Sequence, residues 1–249
     1  MWGETTMTET LETLLDNRAR VRDRIALAAQ RAGRDPADIT LVAVSKTHPA
    51  EMVALAAQAG LRDFGENRIE EAGPKIAAVA AEGLRWHLIG HVQSRKAKEV
   101  AQARLALVHS VDTVKLAERL SRGAVEAGRV VPILLECNVS GEASKEGFVA
   151  HTPEAWEQLW PEFDAVLKLP GVRVEGLMTM APIVPAPEAA RPFFGRLREL
   201  RDCLRIRLPQ GSWRELSMGM TDDFEAAIAE GATLVRIGRA IFGQRGQPV

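Results

Sequence analysis

Two hydrophobic patterns alternate along the chain. Short apolar runs rich in β-branched residues predict strands, and stretches with apolar residues at 3.6-residue spacing predict helices between them. We predict eight strands, at 40–46, 61–66, 84–90, 105–112, 130–139, 172–180, 213–219 and 233–238. Several of them lack polar alternation, as expected of strands that are covered on both faces. Eight strand–helix units in 249 residues predict an α/β fold of the (β/α)8 TIM barrel type.

The chain after the eighth predicted strand is too short for a full outer helix, since only RAIFGQRGQPV follows. An apolar stripe near the start of the chain predicts a long helix, ending near Gly33, that fills this gap. The stripe consists of Leu11, Leu14, Leu15, Ile25, Ala28 and Ala29. A doubly wound open sheet is the alternative fold, but the sequence has neither GxGxxG nor a P-loop. We therefore expect one barrel domain over 1–249 with an additional N-terminal helix.

Composition and charge narrow the function mainly by exclusion. The formal net charge is −1 and both signs are interspersed, which predicts no binding to nucleic acid or to a membrane surface. No segment approaches the roughly 20 consecutive apolar residues that span a bilayer. The start of the chain is acidic, unlike a signal peptide. We expect a cytoplasmic protein in which Cys137 and Cys203 form no disulfide.

A lysine ends the first predicted strand, in the stretch LVAVSKTHP. In a barrel of this kind the C-terminal ends of the strands carry the chemistry. Val42, Val44 and Lys46 share one side of the strand, which directs Lys46 towards the barrel rim. An amine held away from water there has a lowered pKa and can attack a carbonyl. The alternative is a lysine whose amine extends into solvent.

The last two predicted strands end in residues that suit a phosphate. In LSMGMTDDFEAAI, Ser217 and Gly219 stand at a strand end, and 221–222 can cap a helix with free N–H groups. In RIGRAIFG, Arg236 supplies a cation and Gly238 permits close backbone approach. A lysine that faces such a cradle across the rim predicts a phosphorylated aldehyde cofactor held as a Schiff base.

Eight sequence blocks, spread over about the whole chain, carry a resemblance to a known family. They are LVAVSKTHP, FGEN, WHLIGHVQSRK, HSVD, NVSGEASKEGF, GLMTM, LSMGMTDDFEAAI and VRIGRAIFG. In these blocks the chain resembles the YggS/PROSC family of pyridoxal 5'-phosphate (PLP) homeostasis proteins. The resemblance implies a PLP fold type III barrel, similar to the N-terminal domain of alanine racemase, with PLP bound covalently to Lys46.

The resemblance also implies a set of cofactor-binding residues. Besides Lys46 they are Asn67, Ser217, Gly219, Arg236, Gly238 and Arg239. Asn67 would lie beside the ring, and Arg236 would face either the phosphate or the ring nitrogen. Arg239 would contribute its backbone to the phosphate site. It stands where the family often has Ser or Thr, so a hydroxyl is absent and a charge is present.

The sequence favours a PLP carrier over an enzyme. In the alanine racemase relatives a tyrosine from a second domain complements the lysine, and this chain has no tyrosine. His91 is the best-placed substitute, although His87 and His91 are more simply interpreted as strand residues with satisfied hydrogen bonds. The loop SGEASKEGF is either a lid or an ordinary surface loop.

The resemblance therefore implies a role in PLP homeostasis without robust turnover and without a bound metal. PLP is the expected ligand, and apo PLP-dependent enzymes are the expected recipients. We expect a monomer, with a dimer as the alternative. A PLP-dependent amino-acid racemase and a Schiff-base aldolase stay open as alternative functions.

Overall fold

The computed structural model, which describes residues 4–79 and 81–243, folds into a barrel of parallel strands. The strands are β1 Thr40–Val44, β2 Asp63–Glu66, β3 Arg85–Leu88, β4 Leu107–Val111, β5 Val131–Asn138, β6 Phe148–Val149, β7 Val172–Met178, β8 Glu215–Ser217 and β9 Leu234–Ile237. They follow the order β4-β3-β2-β1-β9-β8-β7-β5-β6, and β4 also pairs with β5. This last pairing closes eight strands into a ring and excludes the open sheet. The eight predicted strands are confirmed, and β6 is an addition beside β5.

Helices surround the ring. They are α1 Glu4–Arg31, α2 Ala50–Gln58, α3 Ile69–Ala78, α4 Ala97–Gln102, α5 Val114–Glu126, α6 Pro153–Leu167, α7 Arg191–Arg207, α8 Phe224–Ala229 and α9 Arg239–Phe242. Short 3-10 helices lie at Pro36–Asp38, Ser94–Lys96 and Pro187–Ala190. Within the described ranges, no helix combines the length and the apolar character that a bilayer crossing needs.

The predicted N-terminal helix is confirmed as α1. It packs against α2, α8 and α9, and so fills the gap that the four-residue α9 leaves in the outer ring. Ile25 and Ala29 of the predicted stripe are fully covered, whereas Leu15 is 42% exposed. Residues 1–3 and 244–249, at the two ends of the predicted domain 1–249, lie outside the described residues.

The turn after β8 differs from the prediction. Helix α8 begins at Phe224 with Asp223 as its N-cap residue, so neither position of 221–222 caps it. Asp223 Oδ1 instead accepts a hydrogen bond from the Met220 N–H at 2.6 Å. Gly219 has φ +91, and a Cβ there would lie 2.6 Å from the Ala227 Cβ. This glycine therefore lets the end of β8 approach α8 closely.

The barrel interior changes from apolar to polar along the strands. A small apolar cluster fills its middle: Val42, Leu107, Leu134, Met178 and Leu234. Side chains two residues further along a strand point the same way. Three of those positions carry His109, Glu136 and Arg236, all buried. The C-terminal half of the interior is therefore polar, and a separate large apolar core lies between the strands and the helices.

The contact between β7 and β8 depends on a residue without a side chain. A Cβ on Gly176 would lie 1.9 Å from the Glu215 carbonyl oxygen of the adjacent strand. Gly176→Ala must therefore push the two strands apart, and we expect the free energy of unfolding to fall by about 3 kcal/mol. Chemical denaturation measures this loss.

Gly73→Ala provides the matched control. Gly73 lies in α3 and has nothing within 4 Å of an added Cβ. Because alanine is the better helix former, this variant should gain about 0.5–1 kcal/mol. Similar behaviour of the two variants would show that the close approach at Gly176 does not constrain the barrel.

Candidate functional site

A cavity of about 450 Å³ opens at the C-terminal ends of the barrel strands. Five of the seven residues predicted from the sequence line it: Lys46, Asn67, Arg236, Gly238 and Arg239. Ser217 and Gly219 do not belong to its lining, and Ser217 is fully buried. The structure thus collects most of the predicted residues around one space and places Ser217 behind it.

Pairing of β1 with β9 brings the two halves of the predicted site together. Val42 pairs with Arg236, and Ala43 pairs with Ile237. A Cβ on Gly238 would lie 3.4 Å from the Val44 carbonyl oxygen, which is ordinary van der Waals contact. Lys46 follows Val44 by two residues, so its turn lies next to the turn that begins at Gly238. Both turns face the same cavity.

A buried ion pair holds the residue before Lys46. Lys75 Nζ lies 2.7 Å from Glu66 Oε1 and donates to the Ser45 carbonyl oxygen at 2.9 Å. Ser45 Oγ donates to the same Glu66 oxygen at 2.6 Å. The Lys75 and Glu66 side chains are 7% and 0% exposed. Because a buried charge without its partner is strongly destabilising, this pair fixes Ser45 and the backbone that leads into Lys46.

The residue after Lys46 is held in an unusual conformation. Thr47 has φ +71, a region that few non-glycine residues adopt. Its N–H donates to Glu71 Oε1, which also accepts from Lys75 Nζ at 2.7 Å. Burial acts to raise the pKa of Glu71, but the hydrogen bonds from Lys75 and Thr47 outweigh it and hold that pKa below its usual range. Hydrogen bonds therefore hold the backbone on both sides of Lys46. A strained conformation such as that of Thr47 persists only with support of this kind.

Arg236 forms the floor of the cavity and is 4% exposed. Its Nη1 donates to Ser217 Oγ at 2.5 Å, and its Nη2 donates to the Thr179 carbonyl oxygen at 2.9 Å. Burial lowers the pKa of Arg236 to about 10, against the opposing effect of Glu136. The guanidinium therefore stays charged at neutral pH and offers an anion a cation in a fixed position.

Asn67 lies at the mouth of the cavity, immediately after β2. Gly90 packs directly against its backbone, since a Cβ on Gly90 would lie 2.4 Å from the Asn67 carbonyl oxygen. Only a residue without a side chain permits this approach. The contact fixes the backbone of Asn67 beside the cavity.

Sequence reasoning missed Glu136. It lines the cavity from β5, and β5 is four strands from β1 around the ring, so this carboxyl stands on the wall opposite Lys46. Within the described part of the chain its side chain has no hydrogen-bond partner. Burial and then the nearby Asp112 raise the pKa of Glu136 to about 7. The available signal was an acidic residue inside the apolar run VVPILLECNV.

The rim carries polar groups with more exposure. His91 Nδ1 lies 3.1 Å from Asp112 Oδ2, and the His91 side chain is 51% exposed. Ligand atoms of His91, Asp112 and Glu146 lie within 4.8 Å of one another, and their types suit a metal ion. Because two of the three are exposed, the cluster also suits an ordinary surface ion pair.

Two further contacts close over the rim. Lys145 Nζ donates to the Met180 carbonyl oxygen at 2.9 Å, which ties the loop after β5 to the end of β7. Arg239 donates to the Asp222 carboxylate, and both residues line the cavity. Arg239 is also the first residue of α9, directly after the N-cap residue Gly238.

Comparisons with known proteins agree on one family. The model of the alanine racemase N-terminal domain family matches residues 17–246. A Pseudomonas aeruginosa protein called pyridoxal phosphate homeostasis protein is 48% identical over 239 residues, covering 94% of this chain and 97% of its own length. The structure of PipY from Synechococcus elongatus PCC7942 with PLP bound is 37% identical, with a TM-score of 0.75, covering 90% of this chain and 100% of PipY.

A more distant likeness concerns the fold alone. Alanine racemase from Clostridium difficile 630 is 16% identical, with a TM-score of 0.66. The match covers 96% of this chain but 58% of the racemase. The shared part is the barrel.

The raised pKa of Glu136 has a measurable consequence for stability. The folded-state pKa is about 7 against an ordinary 4.5, so the folded protein binds this proton more tightly than the unfolded chain. The resulting stabilisation is fully present below 4.5 and is lost as the pH rises through 7. At about 1.4 kcal/mol per pKa unit, the wild type should lose about 2.5 kcal/mol relative to Glu136→Gln between pH 5 and pH 8.

Urea denaturation of both proteins across this pH range measures the difference. Glu157→Gln, at an exposed side chain, is the control and should parallel the wild type at each pH. Stability curves of Glu136→Gln that also run parallel to the wild type would contradict a raised pKa at this carboxyl.

Proposed function

The chain belongs to the pyridoxal phosphate homeostasis proteins of the alanine racemase N-terminal domain family, and from this premise we propose that it binds PLP through a Schiff base to Lys46. We further propose that it acts in the cytoplasm as a carrier and buffer of PLP, without robust turnover. One observation carries the proposal. A braced lysine turn and a buried guanidinium, on the paired strands β1 and β9, face the same cavity.

The groups around the cavity suit an aldehyde that carries a phosphate. The amine of Lys46 can condense with an aldehyde and release water. Arg236 offers a fixed positive charge to an anionic group. The N–H groups of Gly238 and Arg239 stand at the start of α9, where no helical carbonyl precedes them. Bound PLP would supply an aldehyde and an electron-withdrawing ring, while these residues bind and orient it.

We propose separate roles for the other predicted residues, based on where they lie. We propose that the backbone of Gly238 and Arg239 holds the phosphate and that Asn67 lies beside the ring. Ser217 would act through Arg236, because its hydroxyl is bonded to the guanidinium. Gly219 would shape the turn, because its φ of +91 and its contact with α8 already require a glycine.

A carrier is supported by what the chain offers around the lysine. It has no tyrosine to act as a second acid–base group, and a relative that it matches over 97% of its length is called a pyridoxal phosphate homeostasis protein. Glu136 favours the competing enzyme hypothesis, because it faces Lys46 from the opposite wall. A Schiff-base aldolase would place its substrate phosphate at the same anion site and hold no chromophore, and a racemase using Lys46 and Glu136 would form product from an amino acid. A carrier would not, and its recipients would be apo PLP-dependent enzymes.

Reduction with borohydride tests the covalent link. Protein mixed with PLP and reduced should carry one pyridoxyl mass increment on the peptide that contains Lys46, because reduction makes the Schiff base permanent. Lys46→Ala should lose the increment. It should also lose the visible absorption band that a Schiff base between PLP and Lys46 gives before reduction. Lys96→Ala, at a surface ion pair, should retain them. An increment on Lys145 or another lysine in the wild type would overturn the assignment.

Arginine substitution tests the anion site. Arg236→Met should weaken PLP binding by about tenfold or more, the scale of one buried charge-assisted hydrogen bond, and should weaken pyridoxal binding much less. Arg198→Met removes an ion pair to Glu230 outside the cavity and serves as the control. Titrations of absorbance with both ligands give the affinities. Equal losses for PLP and pyridoxal would show that Arg236 does not recognise the anion.

A further inference from the structure

A row of buried hydrogen bonds runs from the cavity floor into the barrel. Arg236 Nη1 lies 2.5 Å from Ser217 Oγ, and Ser217 Oγ lies 2.8 Å from His109 Nδ1. His109 Nε2 lies in turn 2.9 Å from His87 Nδ1. The exposed fractions of Ser217, His109 and His87 are 0%, 0% and 4%. These side chains come from β9, β8, β4 and β3, so the row crosses the interior of the ring.

The row ends at a carboxylate near the other end of the barrel. His87 Nε2 lies 3.0 Å from Asp63 Oδ1. Arg85 donates to both oxygens of Asp63, at 2.6 Å each. Burial acts to raise the pKa of Asp63, but the hydrogen bonds from His87 and Arg85 outweigh it and hold that pKa below its usual range. Asp63 is therefore ionised, and as a carboxylate it can only accept hydrogen bonds.

The ionised end fixes the direction of each bond. Asp63 requires a proton on His87 Nε2, which leaves His87 Nδ1 as an acceptor in a neutral ring. His109 must then donate from Nε2, which leaves its Nδ1 to accept the Ser217 hydroxyl proton. The Ser217 oxygen is left to accept from Arg236. Each donor in the row has one acceptor, and the order runs from Arg236 through Ser217, His109 and His87 to Asp63.

The other arrangements leave a buried group without a partner. A proton on His87 Nδ1 would point the bare Nε2 lone pair at the Asp63 carboxylate. A doubly protonated His109 would donate towards Ser217, and the Ser217 hydroxyl proton would then lose its acceptor. Burial also lowers the pKa of His109 well below its ordinary value, and the nearby His87 and Arg236 add to this effect. Two neutral rings with protons on Nε2 are the arrangement that satisfies every group.

We propose that His109 is a positioning residue for the ligand site. By accepting the Ser217 proton, it turns the Ser217 oxygen towards Arg236 and so fixes the guanidinium that forms the cavity floor. The Ser217 hydroxyl donates its proton to His109 in this row, so it is not a donor to the phosphate of a bound ligand. His87 and Asp63 anchor the row from the far end of the barrel. The effect on ligand affinity rests on the proposed function, whereas the proton positions and the order of the guanidinium do not.

Nitrogen-15 NMR of the ligand-free protein tests the proton positions. Two of the five histidines should show the neutral tautomer protonated on Nε2, and His109 should keep it from pH 5 to pH 8. His109→Leu assigns one signal by its loss, and His87→Gln assigns the other. The urea-unfolded protein serves as the control, because all its histidines should titrate at about pH 6.5. A tautomer protonated on Nδ1 in either ring, or titration of His109 near pH 6.5, would overturn the proposal.

The same spectra test whether His109 acts on Arg236 without any ligand. With both terminal nitrogens bonded, the Arg236 guanidinium should give separate, slowly exchanging N–H signals. His109→Leu should merge or broaden them, because Ser217 loses the acceptor that orients it. Leu107→Met, two residues earlier on the same strand and equally interior, should leave them unchanged. Unchanged Arg236 signals in a folded His109→Leu protein would contradict a positioning role.

A double-mutant cycle tests the consequence for binding. His109→Leu should weaken PLP binding by about tenfold in the wild-type background and less than twofold in Arg236→Met, because the effect passes through Arg236. His109→Asn, which keeps an acceptor near the Nδ1 position, should retain more affinity than His109→Leu and guards against misfolding of the latter. Equal losses in both backgrounds would overturn the proposal. Absence of PLP binding by the wild type would contradict the proposed function, and the ligand-free spectra would still decide the role of His109.

Discussion

The parallel pairing of β1 with β9 is the contact on which the site depends. It joins strands from opposite ends of the sequence, and its register sets Val42 against Arg236. The turn of Lys46 and the floor of the cavity take their relative position from this register. Helix α1 covers the outside of the region, where Asn17 donates to the Ile241 carbonyl oxygen at 2.8 Å. The added N-terminal helix therefore stabilises the closure that brings the site together.

The second determinant is the division of the barrel interior. Leu107, Leu134 and Leu234 fill its middle, and the next inward positions on the same strands are polar. This places charge on an apolar base where water has little access, and electrostatic interactions are stronger there than at the surface. A charged side chain in this floor therefore needs hydrogen-bond partners or must become neutral. Arg236 makes two hydrogen bonds there, whereas the raised pKa of Glu136 favours its neutral form.

The sequence was sufficient for the fold because each strand and helix has its own local pattern. It also placed Lys46 and Arg236 at the site, since strand ends in a barrel meet at one face. It could not show that Ser217 is engaged by His109, because that contact depends on the register of strands far apart in the chain. Glu136 was missed for the same reason: its role comes from what faces it across the ring. The predicted cap of α8 was wrong because the wider turn, tied by Asp223, overrides the local preference at 221–222.

The structure combines a rigid floor with a loosely held rim, and this contrast bears on the choice between carrier and enzyme. The floor is buried, and two hydrogen bonds hold Arg236 in it. The rim is held by contacts such as the exposed pair of Arg239 with Asp222, and pairs of this kind each contribute about 0–1 kcal/mol. Opening the rim therefore costs little, while the floor keeps its geometry. This contrast supports the proposed carrier, in which the floor would bind the ligand while the rim would let it exchange.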